Sequence, residues 1–461
     1  MSENFSYPET LSDLAGKSYL KQIWEIAWPT SISMLLFSLY DLIDLKWIGF
    51  LGTEAVASVS LCGNINGVLF GLMNILYIGS LAVFTRFIGA GEQAKLRHSF
   101  HQSIFLGALI GLLLFVIGWL TAPLLLGFFH LSSQVYHLSL VYLRIFYIFF
   151  FFLFLGIPLW TAWIALGKTW LLLIVNLISV GFNLILDPVF IFPRGKMLVG
   201  VFGWGVAGAA IASLLSEILS LLILLGLLKR KDFMVKSPVF KNFKVSFRES
   251  FRILRIGIPS SIAVLSRPMS TVILQRFITG FGASALAGFG IGLRWLGINW
   301  IFFGGISAAV SSLVGRYLGA RLAEKAGAMM RRAYLLGIVI QFLVSLFFIL
   351  WAEPLVAVME PTPETIQAGS AFLIWVSVAM LLSSPGNIAR ACLNGAGNTN
   401  PPMVISIISN WVVKLPLAWA LAYPLKVGLS GIWQAMFVSL VVEGALLLAW
   451  YFRGRWKEHK I

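Results

Sequence analysis

Charge is scarce in this 461-residue chain. Asp, Glu, Lys and Arg supply 11% of it, against roughly a quarter in a soluble domain. That shortage excludes an ordinary water-facing globule. Acid is scarcer than base: 18 Asp and Glu stand against 34 Lys and Arg, for a net charge of +16. Cysteine is almost missing. Cys62 and Cys392 form no metal pattern and exclude a disulfide framework. The five histidines, His98, His101, His130, His137 and His459, fall in or beside expected loops. No buried cluster is left for metal or acyl-transfer chemistry. A nucleophile elbow of the Gly-x-Ser-x-Gly type is absent from any strand–helix context. The nearest approach to a phosphate loop is Gly167-Lys168-Thr169, but the glycine required five residues earlier is Ala162, and no soluble segment is large enough to hold a nucleotide. These absences argue against an enzyme and against ATP as an energy source. No cofactor is expected.

What the chain has is apolar length. Hydrophobic residues make up 59% of it. Runs of about 20 or more recur from end to end, each long enough to cross a hydrocarbon core about 30 Å thick. No water serves the backbone there, so the runs must be helices. Twelve are expected, at 23–49, 56–84, 101–129, 138–161, 169–192, 203–228, 256–279, 285–314, 333–358, 368–392, 402–423 and 428–452. The stretch before the first run is polar, mixed in charge and without a cleavable signal pattern.

The chain also repeats itself at one constant offset, the distance from Pro29 to Pro259. Pro29, Ser31 and Ile32 match Pro259, Ser261 and Ile262; Ile48, Gly52, Ala55 and Ala57 match Ile278, Gly282, Ala285 and Ala287. Arg86, Gly89, Ala90 and Lys95 match Arg316, Gly319, Ala320 and Lys325, and Gly167 and Thr169 match Gly397 and Thr399. The register holds without a gap from Pro29 to Thr169. The expected fold is therefore an all-α membrane protein, with twelve transmembrane helices in two six-helix lobes. Six spans per half keeps the halves in one orientation, so the pseudo-twofold axis lies along the membrane normal. The amino-terminal lobe is 1–228, a basic cytoplasmic linker is 229–255, and the carboxy-terminal lobe is 256–461. Two homologous halves in a membrane suggest a transporter with a shared site.

Charge sets the orientation. Lys and Arg collect in alternate loops: Arg86, Lys95 and Arg97; Lys168; the linker; Arg316 through Arg332; and the tail from Arg453. The intervening loops are nearly bare. By the positive-inside rule both termini are cytoplasmic in the plasma (inner) membrane. The basic charge thus belongs to loops beside spans, and nucleic acid is not an expected partner.

Ionisable groups inside spans are costly and mark function by default. Asp41 and Asp44 lie in the first span, Asp187 in the fifth, Glu217 in the sixth and Glu443 in the twelfth. Asp44 and Asp187 fall at one depth, each about 8 Å below the outer end of its helix, so they could face a common pocket. Asn176, Asn183 and Asp187 share one face of the fifth span. Pro188 follows at once, and Pro29 sits near the start of the first span; both are candidate hinges. Close carboxylates repel, and a proton or Na⁺ relieves the repulsion. Oxygen donors from Asp44, Asn183 and Asp187 would also suit Na⁺ as a hard cation. Asp41 and Asn176 are auxiliary candidates. Glu217 and Glu443 are expected in structural pairs or at the inner interface. Arg144, Arg267, Arg294 and Lys414 are expected to neutralise carboxylates. Aromatics are 14% of the chain, and a minority lining a cleft would suit flat lipophilic cations.

Several motifs together resemble the multidrug and toxic-compound extrusion (MATE) transporters over about residues 20–450. They are Pro29 followed by Leu39-Tyr40-Asp41-Leu42-Ile43-Asp44, Leu51-Gly52, Ile88-Gly89-Ala90-Gly91, Leu166-Gly167-Lys168-Thr169, Asn183 through Asp187-Pro188, the Gly203–Ala210 stretch, and Asn394-Gly395-Ala396-Gly397-Asn398-Thr399. The resemblance implies a monomeric two-lobed antiporter in the lipid bilayer. It would export drug-like, often cationic compounds in exchange for H⁺ or Na⁺. It also implies a cation site of Asp44, Asn183, Asp187 and Ser213, the last at a position usually held by Thr. Three departures stand out: Asp41 where Asn is common, Lys46 beside Asp44, and Ser266-Arg267-Pro268-Met269 where some branches carry an acid. The alternative is a lipid or lipid-linked sugar flippase of a related two-lobed fold.

Overall fold

The fold was analysed in a computed structural model, which describes residues 16–195, 200–230 and 244–461. Among the described residues, twelve helices are long and apolar enough to cross a membrane: Tyr19–Gly49, Thr53–Ala90, Gln93–Gly127, Ser133–Ala165, Thr169–Ile191, Val206–Leu228, Phe247–Phe281, Ala283–Gly319, Ala323–Leu350, Pro363–Gly395, Asn400–Ala422 and Leu429–Phe452. They are numbered as spans one to twelve. Every expected run is one of these spans. The differences lie at the ends: most helices continue past the apolar stretch into polar turns, but the sixth starts later, at Val206, and the ninth stops at Leu350, short of the expected 358, with a separate short helix Ala352–Ala357 after it. Of the expected linker, residues 231–243 lie outside the described residues; Phe247 onward is already helix. Among the described residues there is no strand beyond isolated bridges from Pro193 to Val201 and Phe202.

The chain forms two compact units. One comprises Ile32–Phe84 and Glu92–Leu254; the other comprises Met1–Ser31, Thr85–Gly91 and Arg255–Ile461. The division within the first span falls just after Pro29. The helix runs through Pro29 without a break.

Many large apolar side chains stay exposed, Leu120, Leu124 and Ile185 among them, as a surface solvated by lipid requires. The buried core mixes aliphatic, small and aromatic side chains. In the first unit Phe70 meets Phe150 at 5.1 Å and Tyr142 stacks on Phe146 at 4.6 Å. In the second, Phe289, Phe372 and Trp433 form a triad with centroids 5.0–5.6 Å apart.

The sequence repeat has a structural counterpart at corresponding turns. Gly52 and Gly282 begin helices with φ of 110° and 99°; Gly167 and Gly397 end helices with φ of 67° and 78°. Such angles favour a residue without a β-carbon. Gly89 and Gly319 share one helix crossing in the second unit. A β-carbon on Gly89 would overlap the Arg316 carbonyl oxygen, and one on Gly319 would overlap the Arg86 carbonyl oxygen. The two matched Arg–Gly pairs thus contact each other reciprocally.

Candidate functional site

The fifth span carries Asn176, Asn183 and Asp187, and the sixth carries Ser213, Ser216, Glu217 and Ser220. Each set recurs at helical spacing, so each helix presents one polar stripe on an apolar body. The two helices pack together, and Ser179 Oγ donates to the Ser216 carbonyl at 2.8 Å.

The end of the fifth span is fixed by the loop after it. A helix leaves its last carbonyls without partners in the helix. Here Val201 and Phe202 donate to the Val189 carbonyl, Trp204 to that of Phe190, and Gly205 to that of Ile191. Gly203 and Gly205 make this return with φ of 70° and 58°. Trp204 stacks on Phe190, rings 5.3 Å apart and 3° from parallel. That clamp lies just beyond Asp187-Pro188 and holds the carboxylate's turn in place.

Asp44, Asn183, Asp187 and Ser213 are all buried. With its amide oriented to satisfy both neighbours, Asn183 donates its nitrogen to Asp187 Oδ2 at 2.9 Å. Its oxygen accepts from the Ser213 backbone N–H at 3.2 Å. The Ser213 hydroxyl is hydrogen-bonded to the Tyr40 hydroxyl, which ties the first span to the sixth. Asp44 is within electrostatic reach of Asp187. In that orientation Asn183 serves Asp187 as a donor and turns its oxygen away from that carboxylate. Asp41 belongs to the first span, but its side chain lies outside the described part of the structure. Pro188 is buried in the last turn of the fifth span. No group of three or more His, Cys, Asp or Glu side chains converges among the described residues.

A cavity opens beside this network in the same unit. Tyr40, Asn176, Asn183 and Ser213 line it. So do Phe37, Phe149 and Trp160, and the polar groups of Ser33, Ser179, Ser216, Glu217 and Ser220. The Ser33 and Ser220 hydroxyls have no hydrogen-bond partner among the described residues. Glu217 is 7% exposed, and no ion pair or hydrogen bond reaches it among the described residues. This corrects the expectation of a structural pair for Glu217. The reason is local: Gly156 has no side chain, so the carboxyl fits beneath it and faces the cavity. Ser213, Ser216, Glu217 and Ser220 were readable as a stripe, but only packing shows that the stripe faces Asn176.

The other expected neutralising pairs resolve unevenly. Arg267 does pair with Glu443, at 2.9 Å. Arg390, which the sequence did not single out, is the second partner of that carboxylate. Lys414 bonds to Asn410 Oδ1 instead, at 3.0 Å. Arg144 stands 5.0 Å above the Trp119 ring, and Arg294 is exposed.

A family model described as MatE matches twice, over residues 29–189 and 259–420. The two matches begin at Pro29 and Pro259, the same offset as the repeat. The chain belongs to the MatE family. As a MATE protein it is a multi-pass membrane transporter, not an enzyme. It is 26% identical over 449 residues to the probable multidrug resistance protein NorM of Thermotoga maritima, covering 96% of this chain and 94% of that protein. It is 23% identical to the multidrug export protein MepA of Staphylococcus aureus, covering 94% of each. A crystal structure of a MATE protein in the bent conformation superimposes with a TM-score of 0.89 at 23% identity, covering 99% of this chain and 98% of that one. The likeness extends over both halves, so the twelve-helix, two-lobe MATE fold is that of the whole chain.

Proposed function

We propose that this MATE protein is a secondary active antiporter that exports organic, lipophilic and often cationic compounds in exchange for H⁺ or Na⁺. In this reading, the coupling ion loads at Asp44 and Asp187, Asn183 positions Asp187, and Ser213 with Tyr40 completes the polar wall. The observation that carries it is the Asp187–Asn183–Ser213–Tyr40 network, with a second buried carboxyl, Asp44, in electrostatic reach. Two carboxylates in a low-dielectric setting repel, and a proton or cation relieves that cost. The carboxylate oxygens of Asp44 and Asp187 suit a hard cation as well as a proton. Ion loading would change the balance at the end of the fifth span, where Pro188 removes one backbone donor; Pro29 would serve as the hinge of the first span.

The cargo would enter the cavity lined by Phe37, Tyr40, Phe149 and Trp160, with the Glu217 carboxyl as counter-charge for an ammonium group. The names of NorM and MepA, a resistance and an export protein, agree with outward transport of drugs. In this reading both termini lie on the cytoplasmic side of the plasma (inner) membrane, as the placement of Lys and Arg suggests, and the chain works as a monomer with two lobes divided at the basic linker 229–255.

Asp44→Asn and Asp187→Asn, each reconstituted in proteoliposomes, test the site. Both should lose efflux driven by an imposed H⁺ or Na⁺ gradient while melting like the parent protein. Parental transport in both variants would refute the site. Imposing each ion gradient alone identifies the coupling ion.

A further inference from the structure

The second unit gathers within its spans an excess of positive charge that the proposed antiport does not use. Arg267 of the seventh span, Arg390 of the tenth and Lys414 of the eleventh surround one acid, Glu443 of the twelfth. Glu443 is fully engaged: Arg267 Nη2 donates to Oε2 at 2.9 Å, while Arg390 Nη2 and the Ser406 hydroxyl, at 2.8 Å, donate to Oε1. Lys414 is 3% exposed. Its ammonium has Asn410 Oδ1 as its acceptor, and it lies within electrostatic reach of Arg267 and Glu443.

Donors outnumber acceptors as well. A guanidinium offers five N–H groups in a fixed fork. Arg267 and Arg390 each spend one nitrogen on Glu443, and the buried Arg390 Nε has no partner. The Arg267 guanidinium lies over the Trp300 ring, 4.8 Å from its centre. The side chains of Arg267 and Arg390 are 26% and 17% exposed, so their free edges can be reached. The backbone is also unusual here. Residues Ile408–Lys414 are π-helical, a rare form frequent at functional sites, and Asn410 and Lys414 both lie in it. Ser409, in the same stretch, keeps a buried hydroxyl without a partner.

Three cations around one carboxylate leave net positive charge at membrane depth. Water can satisfy the N–H groups but cannot cancel the charge, and uncompensated buried charge is strongly unfavourable. We propose that the Arg267–Arg390–Lys414 cluster is a binding site for an oxyanion, the carboxylate or phosphate of an organic molecule. Planar forks matched to a carboxylate or phosphate are the arrangement that recognises such groups. The oxyanion can come from a solute or from an anionic lipid headgroup.

The test is calorimetric titration of the full-length protein in phosphatidylcholine nanodiscs with 2-naphthoate and its neutral analogue 2-naphthamide. The expected result is at least tenfold tighter binding of the acid. Lys414→Gln should erase that preference, Arg294→Gln should keep it, and Glu443→Gln should enlarge it. Equal affinity for acid and amide would overturn the proposal. So would an unchanged preference in Lys414→Gln, or an unchanged or smaller one in Glu443→Gln, which stands in if Lys414→Gln does not fold. Repeating the wild-type titration with phosphatidylglycerol in the disc separates the sources. Naphthoate binding lost to that lipid assigns the site to a headgroup, and binding retained assigns it to a solute. The measurement needs no ion gradient, so its failure and that of the antiport site are separable.

Discussion

The reciprocal glycine crossing gives a sharp expectation. Gly319→Ala puts a methyl against the Arg86 carbonyl oxygen, and Gly89→Ala puts one against the Arg316 carbonyl oxygen. Both obstacles are backbone, so neither can swing aside like the tip of a long side chain. The helices must separate, and overpacking of this kind costs about 1–3 kcal/mol. Ala gains back at most roughly 0.5–1 kcal/mol over Gly in a helix, so each single variant should lose up to about 2.5 kcal/mol net. The double variant should cost less than the two together. Once one methyl has spread the crossing, the second occupies space already opened, a coupling expected of about 0.5 kcal/mol or more between contacting sites. Gly327 is the control. It lies in the ninth span, and a β-carbon there meets nothing within 4 Å, so Gly327→Ala should raise stability by the helix term alone. The assay is reversible unfolding in detergent of the parent, the two singles, the double and the control. Single variants as stable as Gly327→Ala would refute the crossing. Strictly additive losses would show that the two glycines do not share it.

Three further outcomes are expected. Asn183→Leu removes a hydrogen bond to a carboxylate worth about 1.5–3 kcal/mol, so gradient-driven efflux in proteoliposomes should fall about tenfold or more; parental efflux would remove Asn183 from the ion site. Glu217→Gln should weaken binding of an aromatic quaternary ammonium about tenfold while leaving that of its neutral isostere unchanged, as read by equilibrium dialysis. His459 is held below its ordinary 6.5 by burial and by Arg86 and Arg255. Its docked form is the neutral one, so docking of the tail is fully stabilised above about pH 6.5 and is lost as pH falls below it. Carboxypeptidase trimming of the tail should therefore rise between pH 7.5 and 5.5, and His459→Gln should flatten that rise.

Span number and the repeat were legible because both rest on one-dimensional facts. A bilayer demands about 20 apolar residues per helix, and a duplicated half keeps its register at Pro29/Pro259 and Gly89/Gly319. The expectation that Asp44 and Asp187 lie at one depth came from counting residues to the helix ends. Family membership lay in the same linear motifs, because turn glycines such as Gly167 and Gly397 are set by local backbone angles. Side-chain partnership was not legible. Nothing linear distinguishes Glu217, unpaired against a cavity, from Glu443, held by two arginines. Arg390 sits two spans before its partner Glu443 and meets it through packing alone. The orientation of the Asn183 amide depends on what Asp187 and Ser213 present from two helices. The sequence alone determines where the chain is apolar, where it turns and which halves match, since each of these needs only neighbours along the chain. Only the tertiary structure decides which buried charges are neutralised and which are left facing space, because that depends on groups brought together from distant helices.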